Sequence, residues 1–468
     1  MGTVFRIAFE WTRRLAVLGA LALAACAAAP VPKPEADAPG AWRNAAHDAN
    51  LGPAPDLRAW WRAFGDPDLD RLIDRALADN LTLKQAALRL AAARAMSGRA
   101  SAAYAPELGA HTFAEPAPDS SASYFQAGFD AKWELGLFGR AESSARIADA
   151  EAGLAGIDVE AARVSVVAEV ARVYVELRSA ERRLDLLTRI AESSKAKNML
   201  IATRERLRLA SAADAAGSDA ERASAEAALV EPRLAIVRSR QQLAVLLGTS
   251  DPAALALGER APPRLDALEI GATPADFLRT RPEIRRAELS ILKAAGELGI
   301  ARADLYPRLA LGGSLTYAAR VIGHTRLADA DSIVTAGPII DIPIFDWGAR
   351  RAVVTARDAE LQAALLGYRQ AVLDGVAEVE TALSTLAAER EHAAVLARAV
   401  AAEDRGSDAV ATLRRVGLAD DVDRENASTN LAQAELAANG AEEARDLAFI
   451  ALYKALGGAP LPQPEPGS

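Results

Sequence analysis

Two stretches of this chain, residues 141–207 and 349–416, contain no proline. Proline is the residue that most reliably ends a helix, so each stretch can run as one helix of some 67 residues, about 100 Å long at 1.5 Å per residue. No compact domain holds a helix of that length. The apolar positions Val166, Val170, Val173, Leu177, Ala180, Leu184 and Leu187 step by alternating fours and threes, the spacing of a coiled-coil seam. Val372, Val376, Val379, Leu383 and Leu386 repeat it. The composition agrees: hydrophobic residues are 51% of the chain but aromatics only 5%, a stock that favours long, closely packed helices.

The two stretches belong to an internal duplication. Ala103-Tyr104-Ala105-Pro106-Glu107-Leu108 is echoed by Asp304-Leu305-Tyr306-Pro307-Arg308-Leu309 at a spacing of 201, and Phe138 by Phe345 at 207. Glu169-Val170 and Glu378-Val379, Asp214 and Asp423, and Leu247-Gly248 and Leu456-Gly457 all stand 209 apart. The expected organisation is a first repeat over 59–247, a linker over 248–273 holding Pro252, Pro262 and Pro263, a second repeat over 274–457, and a Pro-rich tail over 458–468. Each long helix is followed by a return helix of about 35 residues that stops at Gly248 or Gly457, glycine being the usual residue just past a helix end. Pro232 should kink the first return helix.

Before each long helix the period drops to two. Phe125, Ala127, Phe129, Ala131, Trp133 and Leu135 alternate with polar or small residues, as do Leu309, Leu311, Gly313, Leu315 and Tyr317. These predict β-hairpins at about 106–135 and 306–345, with Glu115 to Ser123 and Arg320 to Asp331 as connecting loops. Strands of about ten residues match a tilted membrane crossing. Four strands alone leave two unpaired edges, which hydrocarbon does not tolerate, so closure needs several copies. Two, three or four copies give 8, 12 or 16 strands. Eight leave a filled interior and 16 an aqueous one, so transport favours three or more.

The N-terminus points to export. Arg6, Arg13 and Arg14 precede an apolar run from Leu15 to Ala25 that is too short for a permanent bilayer helix. Residues 1–25 read as a signal peptide, and Leu23-Ala24-Ala25-Cys26 resembles a bacterial lipobox, which makes Cys26, the chain's sole cysteine, the lipidation site. Residues 26–58 then form a lipidated tether that includes Pro30, Pro32 and Pro34, a stiff extended composition.

Enzymatic and nucleic-acid readings find little support. The chain carries 54 Lys+Arg against 63 Asp+Glu, a net charge of −9, with no basic excess to attract phosphates. His47, His111, His324 and His392 are dispersed, and phosphate-loop, dinucleotide, zinc-protease and nucleophile-elbow motifs are absent from the sequence. The expectation is therefore no catalytic residue, no cofactor, no metal and no nucleic acid. The rival of another class is a structural coiled-coil lipoprotein without a pore, against which the matched period-two segments speak.

Trp60-Trp61-Arg62-Ala63-Phe64-Gly65-Asp66-Pro67 with Leu69, Leu72 and Asn80, Arg281-Pro282-Glu283-Ile284 with Ala287-Glu288, Tyr306-Pro307 and the duplication together resemble the TolC-like outer-membrane factors, specifically their NodT-like lipoprotein branch. The resemblance spans residues 26–457. It implies a mainly α fold with a membrane β part: a long antiparallel coiled-coil barrel as a periplasmic tunnel, and four strands per chain contributing to a 12-stranded barrel in a homotrimer. It also implies an outer-membrane, lipid-anchored exit duct for small molecules, served by a periplasmic adaptor and a proton-driven inner-membrane transporter. A protein-secretion duct is the alternative within the family. The same resemblance assigns adaptor docking to the turns Val416-Gly417-Leu418-Ala419 and Leu207-Arg208-Leu209-Ala210, where Arg208 replaces the family's glycine. Asp214 and Asp423 are implied to line the periplasmic gate. Asn426 and Gly217 stand where a second aspartate is often found. Acids in a first helical turn also serve as plain caps.

Overall fold

The computed structural model describes residues 30–35, 39–44, 55–115, 124–258, 265, 280–322 and 326–459. Cys26, the signal segment, most of the linker over 248–273 and nearly all of the tail lie outside the described residues. The element order is α1 (Pro67–Asp79), α2 (Leu81–Ala102), β1 (Glu107–Glu115), β2 (Tyr124–Glu134), α3 (Arg140–Arg206), α4 (Ala212–Ala227), α5 (Val230–Leu246), α6 (Pro282–Ala303), β3 (Arg308–Ile322), β4 (Arg326–Asp341), α7 (Ala349–Arg415) and α8 (Asp421–Ala455). Helices α3 and α7 are 67 residues each. The chain divides into two compact units.

The first unit comprises residues 1–36, 88–157 and 286–371 and contains the sheet. All four strands are antiparallel in the order β1-β2-β3-β4. Both hairpins thus join through β2 and β3, with Phe129 opposite Leu315 and Trp133 opposite Leu311. Directly opposed residues share a face, so one face carries Leu108, Phe129, Trp133, Leu311, Leu315 and Val334. The other face carries Gln126, Asp130, Lys132, Ser314, Thr316 and Thr335. The named apolar residues are all exposed. Among the described residues the outer edges of β1 and β4 pair with no strand. The second hairpin is longer than its periodicity predicts. Arg320 and Val321 still pair, with Ala328 and Leu327, across a register shift after Ala318, so most of the loop expected at Arg320 to Asp331 is strand. At the other end, β4 stops at Asp341, short of the predicted end at 345. Ile291, Ala295 and Leu298 of α6 form the core with Leu361 of α7, and Val31 from the proline-rich segment packs onto it.

The second unit comprises residues 37–87, 158–285 and 372–468. Its centre is Trp60, fully buried, which stacks on Tyr453 at 5.7 Å and donates from Nε1 to the Gly458 carbonyl at 3.1 Å. Phe64 meets Phe449 edge-on at 5.6 Å. Below this cluster lies a buried polar chain. Asp66 caps α1 by accepting from the Asp68 amide at 2.9 Å, and its other oxygen accepts from the Tyr174 hydroxyl at 2.6 Å. That hydroxyl accepts from Arg178 Nε at 3.1 Å, and Arg178, 1% exposed, also reaches Glu181 at 2.8 Å and Asp68 at 3.5 Å.

The duplicated halves solve their junctions with different side chains. Asn80 Nδ2 donates to the Leu246 carbonyl at 2.9 Å, closing the end of α5. At the matching place Arg281 donates to the Ala455 carbonyl at 3.0 Å, closing the end of α8, and pairs with Glu378. Gly248 and Gly457 have φ of +71° and +75°, and a Cβ on either would sit 2.8 or 2.7 Å from the carbonyl oxygen of Asp79 or Thr280. Helix α8 runs unbroken for 35 residues, whereas the first return helix is divided between Ala227 and Val230. Pro232 is the physical reason, since it offers no N–H to the carbonyl four residues earlier and its ring crowds that carbonyl. The buried stripe of α3 is broad: Val166, Val170, Val173 and Leu177 are joined by Val167, Ala171 and Tyr174, and further along burial shifts to Leu186 and Ile190. A straight helix drifts by roughly 20° per heptad against a strict seam. The stripe of α7 is narrow, while Leu373 and Val395 of the same helix stand exposed.

Candidate functional site

The turns that join each long helix to its return helix are built alike. In the first, the Leu209 N–H donates to the Arg204 carbonyl at 2.7 Å and the Arg208 N–H to the Glu205 carbonyl at 2.8 Å. In the second, the Leu418 N–H donates to the Leu413 carbonyl at 3.0 Å and the Gly417 N–H to the Arg414 carbonyl at 3.1 Å. Both are Schellman helix ends, which need a left-handed residue just past the helix. Gly417 supplies it at φ +78°, and Arg208 supplies it at φ +62°. The arginine therefore does not alter the backbone path of the turn; it adopts the glycine conformation at a cost of about 1 kcal/mol.

Each turn then opens a helix through a reciprocal cap. Ser211 Oγ accepts from the Asp214 N–H at 3.1 Å, and the Asp214 carboxylate accepts from the Ser211 N–H at 2.9 Å. In the second turn Asp420 Oδ1 accepts from the Asp423 N–H at 3.0 Å while Asp423 Oδ2 accepts from the Asp420 N–H at 2.8 Å. Both aspartates singled out from the sequence are thus the third residue of a capping box, a motif more often closed by Glu or Gln. The hydrogen bonds from Ser211 hold the Asp214 carboxyl below the usual range. Asp214, Asp423 and Asn426 are exposed, and Glu425, between the last two, is buried and paired with Arg424.

What the turns present outward is apolar. Val416 and Leu418 are 64% and 76% exposed, and Leu207 and Leu209 are 65% and 74% exposed. Ala210 and Ala419 are half-buried. Arg204, in the last turn of α3, pairs with Asp420 at 2.7 Å and so ties one turn to the cap of the other. That pairing holds the Asp420 carboxyl low. Arg414 pairs with Asp421 at 2.6 Å within the second turn. Sequence reading missed Ser211 and Arg204. The Ser-x-x-Asp spacing could have found the first, whereas the partner of Arg204 lies 216 residues away and leaves no local signal.

A family model described as outer membrane efflux protein matches residues 72–249 and 273–458, one match in each repeat. The outer membrane protein OprJ of Pseudomonas aeruginosa is 32% identical over 472 residues, covering 95% of this chain and 95% of that protein. The toluene efflux pump outer membrane protein TtgF of Pseudomonas putida is 30% identical over 360 residues, 71% of this chain and 72% of its own length. The solved structure of the outer-membrane channel OprN superposes with a TM-score of 0.78 at 29% identity, over 92% of this chain and 99% of that one.

Proposed function

The chain belongs to the outer membrane efflux protein family, and from that premise we propose that it is the exit duct of an efflux system, a passive channel that carries small molecules out through the outer membrane. The family is one of transport ducts, and the duct itself performs no chemistry. The observation that carries the reading is the sheet: one apolar face, one polar face and two unpaired edges, attached to helices of 67 residues. Such a sheet is stable in hydrocarbon only when closed, and three copies give a closed 12-stranded barrel. The exposed apolar residues of α7 support the same assembly, because a second copy would cover them.

Cys26 carries the lipid that holds the chain at the membrane. The paired apolar turns at 207–210 and 416–419 dock a periplasmic adaptor, which couples the duct to a proton-driven inner-membrane transporter. Three copies of Asp423 and Asp214 place a ring of negative charge at the periplasmic entrance, as charged rings do in other pores, with Asn426 leaving the ring less acidic than a second aspartate would. The capping role of the two carboxylates is compatible with this, since a carboxylate accepts several hydrogen bonds.

Planar-bilayer recording of the purified protein tests the proposal. The expected result is stepwise conductance whose cation selectivity falls in Asp423→Ala. A detergent-stable oligomer that gives no steps would refute the duct, and steps with unchanged selectivity in the variant would refute the ring.

A further inference from the structure

The connectors between sheet and long helix show an asymmetry. Phe138 and Trp347 share the same unusual backbone, φ +57° and +56°, each followed by a left-handed glycine, Gly139 and Gly348. The backbone therefore equates Phe138 with Trp347, at the spacing of 209 that holds along the helices, rather than with Phe345. A bulky residue at positive φ is rare and needs surrounding support. Phe138 has it: its ring lies flat on Tyr306, centroids 4.9 Å apart and planes 15° apart. Trp347 meets the neighbouring Phe345 edge-on, centroids 4.7 Å apart, yet it is 90% exposed, and beside it Ile344 is 91% and Phe345 72% exposed.

The Phe138–Tyr306 stack follows from strand pairing. Glu134 is the partner of Ala310, and Phe138 lies four residues after the first while Tyr306 lies four residues before the second. A connector thus packs against the residues that precede the strand paired with its own strand. For β4 no such strand is present among the described residues, and the unpaired counterpart edge is β1, preceded by Ala103-Tyr104-Ala105-Pro106.

We infer that Trp347 docks on the Tyr104-Ala105 junction of a second copy of this chain, reproducing between copies the contact that Phe138 makes with Tyr306 inside one. The contact rests on the trimeric reading above and names the residues that join its copies. Two further observations support this occupant. A register that sets Trp347 against Ala105 also sets Ile340 against Thr112, which puts the apolar faces of both edge strands on one side. Charge is complementary as well: within the chain Arg140, opening α3, pairs with Asp304 before β3 at 2.5 Å. Arg350 at the start of α7 pairs with Asp346 at 3.5 Å, while the neighbouring Arg351 and, at the start of β1, Glu107 are both exposed.

The test is a disulfide scan in the full lipidated chain. Positions 105 and 347 lie at opposite edges of a four-stranded sheet, about 14 Å apart at 4.8 Å per strand spacing, too far for a bridge within one copy. The double variant Ala105→Cys/Trp347→Cys is expected to give dimer and trimer bands on oxidation that collapse on reduction, while either single variant gives none. Light scattering in detergent separates the failures. A trimer without bands overturns this contact alone, and a monomer overturns it together with the assembly. A trimer without bands whose bimane-labelled Cys at 347 is quenched by brominated lipid chains assigns the patch to lipid and also overturns the contact.

Discussion

Tyr174→Phe removes one oxygen from the centre of the second unit and leaves the ring in place. That oxygen donates to the buried Asp66 carboxylate at 2.6 Å and accepts from the buried Arg178 guanidinium at 3.1 Å. Packing is conserved, so the effect is confined to the two charge-assisted hydrogen bonds, and each partner is left short of a bond where water does not compensate. Hydrogen bonds to charged groups are worth about 1.5–3 kcal/mol each. Arg178 keeps Glu181 and Asp68, and Asp66 keeps the Asp68 amide. The loss is therefore set at the low end for each bond, about 2–4 kcal/mol in total. It should appear where Asp66 acts, at the start of α1 and the preceding Trp60–Phe64 turn. Hydrogen exchange read by mass spectrometry on peptides covering residues 60–76 reports that local opening. Protection is expected to fall by roughly 30- to 1,000-fold there, since 1.4 kcal/mol is a factor of ten, with little change at the distal turns 207–210 and 416–419. A fall of less than threefold would show that the buried chain does not hold α1 and would refute the reasoning.

Two further outcomes are expected. Asp446 is buried, and burial, with Glu442 and Glu443 nearby and Arg445 opposing, pushes its carboxyl up to about 7. Its folded value lies above its unfolded one, so stability is fully present below about pH 4 and is lost as pH rises towards 7. Asp446→Asn should flatten that decline and raise stability at pH 8 by up to about 4 kcal/mol, read from unfolding midpoints across pH 4–8; an unchanged slope would contradict it. At the turns, Gly417→Ala should weaken exchange protection of the Leu418 amide and Arg208→Gly should strengthen that of Leu209, each by up to about 1 kcal/mol. Shifts of the same sign in both would mean that the left-handed positions are not equivalent.

Helices α3 and α7 were legible because proline and period leave one outcome. The strands were legible because alternation names a face. What the residues did not disclose depends on distant partners. The pairing of β2 with β3 joins segments that share no local signal. The extension of the second hairpin beyond Ala318 pairs Arg320 with Ala328 and Val321 with Leu327 across a register shift, in a stretch that reads as loop and is carried by the strand ladder instead. Asn80 and Arg281 were recognised as motif residues, yet their common work, receiving the end of a return helix, is invisible until Leu246 and Ala455 come beside them. Arg208 is the instructive case. It stands where the resemblance expects glycine, and hydrogen bonding at both flanks of the turn holds it in the glycine conformation. Phe138 was equated with Phe345 by residue type, and backbone dihedrals moved the equivalence to Trp347.

The central ladder of the sheet also sets an order of events. Each hairpin can form by itself in microseconds, but an isolated two-stranded hairpin is marginal in water. The bond between β2 and β3 must wait until α3, α4, α5, the linker and α6 have been made, a closure whose entropic cost precedes any reward. The first repeat, although it has the element order of the second, is therefore not an independent folding unit. During synthesis its hairpin stands with Leu108 and Phe129 uncovered, and it is this waiting interval, rather than the finished channel, in which the chain is most exposed to aggregation and most in need of a chaperone.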